Sequence, residues 1–125
     1  MGLGTIDRIV AALGCLAGLL GVAASAAAAH IAGADSLKTA AQFLLFHAPL
    51  VVGLVALGAV GIAHSLATRL AALAILAGLA LFPGDLALRA VHGTPLFPYA
   101  APAGGFALIA GWLVTALAGV LRRRR

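Results

Sequence analysis

Charged residues are scarce in this sequence. Only 9% of its 125 residues are charged, three of them acidic, while 64% are hydrophobic. Soluble globular domains carry about 25% charged residues. A water-facing surface cannot be built from so few charges, so the composition excludes a soluble domain and predicts an integral membrane protein.

Residues typical of disulfides, metal sites and catalysis are also few. Cys15 is the single cysteine, which excludes an intramolecular disulfide. The sequence has no HxxxH or CxxC pair, no phosphate-binding glycine loop and no nucleophile motif. We therefore predict no catalytic residue, no metal ligand and no bound cofactor, and we expect that the protein is not an enzyme.

The apolar residues fall into four long runs. Because a membrane-spanning helix needs about 20 apolar residues, we predict one all-α domain over residues 1–125, a bundle with helices at approximately 8–31, 40–63, 70–90 and 103–121. Small residues let helices approach closely in lipid. Gly14 and Gly18 form a GxxxG pair on the first helix, and Gly104 and Gly105 begin the fourth, so these four are the predicted packing positions.

The basic residues predict the orientation. Arg8 and Arg69 fall on the same predicted side as the terminal arginines, whereas Lys38 and Arg89 fall on the other side. The terminal run comprises Arg122, Arg123, Arg124 and Arg125. The excess predicts a multi-pass protein whose two termini face the cytoplasm, or the matrix if the protein is organellar. Such a run is typical of a topology signal that contacts lipid headgroups, so no nucleic-acid partner is expected.

Four ionisable residues fall toward the other predicted side of the membrane. Asp85 lies within an apolar run of the third helix, with Arg89 one turn later, while His30 ends the first helix and His47 lies near the start of the second. They form a candidate polar cluster, because ionisable groups within the membrane commonly mark functional sites. Two imidazoles and a carboxylate could relay protons, bind a metal ion, or contact a lipid or quinone headgroup.

Each of these residues also has a structural interpretation. Asp85 and Arg89 have the spacing of an i,i+4 ion pair, in which Arg89 reaches toward the headgroups. His30 would form hydrogen bonds at the membrane surface. His47 would bond a carbonyl freed by Pro49, which cannot donate a helical hydrogen bond.

Four segments follow one another along the chain: Gly21–His30, Leu37–Leu57, Leu79–Leu88 and Pro102–Trp112. Their residues and order resemble the Domain of Unknown Function four-two-three (DUF423) family of small four-helix membrane proteins. The resemblance implies a compact inner-membrane bundle and supports interest in the two histidines, but it supplies no function. The family typically has Ser-Gly-Ser where this chain has Pro83-Gly84-Asp85, so its proline and acid are not explained by the resemblance.

Three functional hypotheses follow. The first is an accessory or assembly subunit of a larger membrane complex, because the chain is small, rich in glycine and alanine, and without a catalytic motif. The second is a small transporter or proton or ion pathway that uses the polar cluster. The third is a protein that binds a metal ion, haem or quinone. The expected partners are membrane lipids and either a larger complex or further copies of the chain.

Overall fold

The computed structural model describes residues 3–120, and that part of the chain forms four α-helices without strands. They are α1 (Thr5–His30), α2 (Asp35–Ala59), α3 (Ser65–His92) and α4 (Ala100–Val120). All four are long and apolar enough to cross a membrane. The prediction of a multi-pass, all-α four-helix bundle is therefore confirmed.

The helices begin three to five residues before their predicted starts. α2 begins at Asp35, so it includes the polar residues that precede the apolar run from residue 40. The Thr39 hydroxyl donates to the Asp35 carbonyl, and the Lys38 ammonium lies 3.9 Å from the Asp35 carboxylate. Polar side chains at a helix end can stay hydrated at the membrane surface, so the end of an apolar run does not mark the end of the helix.

α3 extends to His92, two residues beyond its predicted end. Gly93 then stops it in the left-handed conformation, with φ of 73°, and donates its N–H to the Arg89 carbonyl. This is the usual glycine cap of a helix C-terminus. The same region shortens the connection to α4, which begins at Ala100 and accommodates Pro102 in its first turn, where no helical N–H is needed.

Neighbouring helices run antiparallel, with α2 and α3 at the centre of the bundle. α1 packs on α2, α2 on α3 and α3 on α4, while α1 contacts α3 much less. Val51 and Leu54 of α2 and Ile75 of α3 are fully buried in the core. We call the end where α1 and α3 begin, at Thr5 and Ser65, the proximal end, and the opposite end the distal end.

Glycines bring α1 against α2. A Cβ atom at Gly14 would lie 2.9 Å from Val51 Cγ1, and one at Gly21 would lie 2.8 Å from Leu45 Cγ. The Gly18 position is looser, since its Cβ would meet Ala48 at an ordinary 3.4 Å. The predicted GxxxG pair thus faces a helix of the same chain, and only Gly14 lies so close that a larger residue would overlap its neighbour.

Glycines also bring α3 against α4. A Cβ atom at Gly104 would overlap the backbone nitrogen of Phe82, and one at Gly111 would lie 2.6 Å from Ile75 Cδ1. Gly105 differs from its neighbour, because a Cβ atom there would meet nothing within 4 Å. Gly104 is a packing position within the bundle, whereas Gly105, predicted as one, turns away from α3 because successive helical residues lie about 100° apart.

Candidate functional site

A hydrogen bond between a buried histidine and a half-exposed tryptophan connects α2 and α4. Trp112 Nε1–H donates to His47 Nε2 at 3.0 Å, and His47 Nδ1 lies 2.6 Å from the Phe43 carbonyl oxygen. An indole N–H can only donate and a carbonyl can only accept. The two partners therefore assign a neutral imidazole with its proton on Nδ1, and both of its nitrogens are occupied.

The two partners lie at the same depth. His47 and Trp112 each come twelve residues after the first residue of their helices, Asp35 and Ala100. That spacing corresponds to about 18 Å from the distal end at 1.5 Å per residue. Because α2 and α4 share no extended packing surface among the described residues, this bond is a direct connection between them. The sequence analysis did not include Trp112 in the candidate polar cluster. Its depth in the membrane, which matches that of His47, could have indicated the contact.

Aromatic rings continue this connection to α3. Phe82 of α3 lies edge-on to Phe43 at a centroid distance of 4.6 Å, and Phe43 stacks on the His47 ring at 5.6 Å. The His47 ring in turn lies edge-on to Trp112 at 5.8 Å. Edge-to-face and offset contacts of this kind add stabilisation beyond burial. One row of rings therefore links the two central helices and α4.

Asp85 holds the connection between α3 and α4. Its Oδ2 atom accepts from Arg89 Nε at 2.7 Å, and its Oδ1 atom accepts from the backbone N–H of Leu96 at 2.8 Å. The Asp85 side chain is fully buried, while that of Arg89 is 48% exposed. The carboxylate thus has a charged partner on its own helix and a second partner in the following loop, which it fastens to α3.

The structure brings two of the four residues of the candidate polar cluster into contact. Asp85 and Arg89 are in contact, but within residues 3–120 no hydrogen bond or ion pair connects them to His47 or His30. His30 is the last residue of α1 and is exposed. His47 lies deeper than expected, because α2 begins at Asp35, and it bonds the Phe43 carbonyl rather than one freed by Pro49.

A further ion pair joins the proximal ends of α1 and α3. Arg69 Nε and Nη2 donate to the two carboxylate oxygens of Asp7 at 2.8 and 2.9 Å. The sequence analysis used Arg69 only to predict topology and did not consider Asp7. The two residues carry opposite charges, and both lie near helix starts on the same predicted side of the membrane. That arrangement could have predicted the ion pair.

The polar side chains of the described residues form hydrogen bonds within one helix, or connect a helix to another helix or to a loop. Between residues 3 and 120, no buried side-chain nitrogen or oxygen lacks a hydrogen-bond partner. Within the same range, no group of three His, Cys, Asp or Glu side chains is placed to hold a metal ion. The terminal arginines, Arg122–Arg125, lie outside the described residues. The buried polar groups of the described residues therefore find their hydrogen-bond partners within the chain and serve to hold its structure together.

Residues 20–105 match the model of a family described as protein of unknown function (DUF423). The chain belongs to this family. The match to DUF423 begins within α1 and ends within α4, so it includes His47 and the Asp85 connection but not Trp112. No curated protein and no solved structure matches the chain significantly.

Proposed function

We propose that this DUF423 protein is a non-enzymatic accessory or assembly subunit of a larger membrane complex. The observation that supports the proposal is that both nitrogens of His47 and both oxygens of Asp85 already have partners in the chain. A catalytic or transport site needs polar groups that can exchange partners during the reaction. Groups that are fully engaged instead make a rigid bundle whose outer surface is available for contact.

The outer face of α4 is the surface that best suits such contact. α4 packs extensively only on α3 among the described helices. Its outward stripe carries Phe106, Ile109 and Leu113, of which Phe106 is 73% exposed. Gly105 beside this stripe faces open space. A large apolar stripe next to a small residue suits a partner helix, because helices in lipid associate through close packing.

We also propose that both ends of the chain face the cytoplasm and that the membrane is the inner (plasma) membrane. The Asp7–Arg69 ion pair brings the starts of α1 and α3 together at the proximal end, near Arg8 in the sequence. α4 runs toward that end, and the four terminal arginines follow it in the sequence. This excess of basic residues supports a cytoplasmic proximal end.

Purification in mild detergent tests the accessory role. We expect the tagged protein to co-purify with a defined membrane complex at constant stoichiometry, and to be required for normal amounts of that complex in cells. Recovery only as a monomer or homo-oligomer would overturn the proposal.

A pair of glycine variants tests docking through α4. Gly105→Leu places a bulky side chain on the α4 face, and Gly53→Leu places one on α2; a Cβ atom at either glycine meets nothing within 4 Å. We expect Gly105→Leu to lose the partner complex and Gly53→Leu to retain it, with both variants folded. Equal retention or equal loss would contradict docking through this face.

The proton or ion pathway and the metal-, haem- or quinone-binding protein stay hypotheses. No contact among the described residues favours either one over the accessory role. The absorption spectrum and metal content of purified protein would show a haem or a metal ion directly.

A further inference from the structure

An apolar cleft opens on the bundle surface between α1 and α3, with α2 as its floor. It has a volume of about 290 Å³ and is lined chiefly by leucines. These are Leu13, Leu16 and Leu20 of α1, Leu44 of α2, and Leu76 and Leu79 of α3. The volume is at the lower end of the range for small-ligand pockets, roughly 300 to 1,000 Å³. The cleft exists because α1 and α3 contact each other much less than each contacts α2.

A basic side chain lies in line with this cleft, toward the proximal end. Arg69 precedes Leu76 by seven residues, so both occupy the same stripe of α3, about 10 Å apart along the helix. Its Nε and Nη2 atoms bind Asp7. Within the described residues Nη1 donates no hydrogen bond, and the Arg69 side chain is 42% exposed. The guanidinium can therefore donate to an oxygen on the proximal side of the cleft, about 10 Å along α3 from Leu76.

The lining favours an acyl chain over a helix as the occupant. Helices that dock in lipid approach through small residues. Close glycine contacts, such as those at Gly14, Gly78 and Gly111, are already used between helices of this chain. The cleft contains two alanines, Ala17 and Ala80, but six flexible, branched leucines surround its narrow apolar space, and such a surface fits a thin hydrocarbon chain.

We propose that the cleft binds one phospholipid with an anionic headgroup. One acyl chain lies between α1 and α3, and a phosphate oxygen accepts from Arg69 Nη1. Arg8, exposed at the same end, adds a positive charge, while the Asp7 carboxylate balances Arg69. The net positive charge at the proximal end favours an anionic lipid over a zwitterionic one. This proposal is independent of the accessory role.

Native mass spectrometry tests the proposal on the full chain. The protein is released from bilayers that contain equal amounts of an anionic and a zwitterionic phospholipid with identical acyl chains. We expect one retained lipid per protein, with a preference of about fivefold for the anionic lipid, the effect of roughly one basic residue near the surface. Equal retention of the two lipids, or no retained lipid, would overturn the proposal.

A matched pair of variants localises the lipid. Ala80 lines the cleft on α3, whereas Ala77, also exposed on that helix, does not line it. We expect Ala80→Phe, whose ring fills the cleft, to lose most of the retained lipid and Ala77→Phe to leave it unchanged. Unchanged retention in both variants would overturn the proposal.

A second pair of variants changes the α1 wall of the cleft, opposite Ala80. Its result does not depend on whether Ala80→Phe folds. Leu16 lines the cleft and Leu19 does not, although both are exposed. Leu16→Trp should displace the lipid, and Leu19→Trp should retain it. If the protein is instead released as a dimer that Leu16→Trp dissociates, the cleft holds a helix of a second copy and the lipid proposal is overturned.

Discussion

Gly104 and Gly105 are adjacent, yet alanine should affect them in opposite directions. At Gly104 the added Cβ atom would overlap the Phe82 backbone nitrogen and lie 2.8 Å from Leu81 Cβ. Backbone atoms cannot move aside as the end of a flexible side chain can, so α4 must shift away from α3. Overpacking of this kind typically costs about 1–3 kcal/mol.

At Gly105 the same atom enters open space. Alanine is favoured over glycine in a helix interior by about 1 kcal/mol. The same preference applies at Gly104 and cancels in the comparison, so we expect the free energies of unfolding of Gly104→Ala and Gly105→Ala to differ by roughly 1–3 kcal/mol, the cost of overpacking.

Unfolding in mixed micelles, with increasing mole fraction of a denaturing detergent, measures this difference for both variants and the wild type. Gly104→Ala should unfold before the wild type, and Gly105→Ala at the same point or later. The packing described for α3 and α4 would be refuted if Gly104→Ala were as stable as the wild type, or if both variants lost equal stability.

Two further predictions concern the buried polar side chains. Trp112→Phe should destabilise the bundle by about 1 kcal/mol, within the range for hydrogen bonds between helices in membranes, because it leaves His47 Nε2 buried without its donor; an unchanged unfolding free energy would argue against this bond. Asp85→Ala should accelerate hydrogen exchange at the Leu96 amide, since that N–H loses its acceptor. Equal exchange in both proteins, measured by NMR, would show that the carboxylate does not hold the loop.

The number and type of helices could be predicted from the sequence, because long apolar runs and scarce charge leave few alternatives to membrane-spanning helices. The helix ends were less predictable. Asp35 and Lys38 looked like a polar connection, but they form the first turn of α2. Hydropathy alone does not distinguish a polar loop from a polar helix end, since both can lie in the hydrated headgroup region.

The pairs of polar side chains were predictable only where the partners are close in sequence. The i,i+4 spacing indicated contact between Asp85 and Arg89. The bond from Trp112 to His47 spans 65 residues, and it depends on which helices are neighbours and how they are rotated. Periodicity was of little help here, because lipid and the protein interior are both apolar and the buried face of each helix is therefore hard to recognise.

The most direct test of a structural role for the buried polar groups combines two measurements on Asp85→Asn. The asparagine amide can still accept from Leu96, but it cannot replace the charged partner of Arg89. We predict that Asp85→Asn unfolds at a lower denaturing-detergent fraction than the wild type. We also predict that proteoliposomes containing either protein show the same proton flux as protein-free liposomes. A wild-type flux that Asp85→Asn abolishes, with unfolding unchanged, would contradict the structural role and favour a proton pathway.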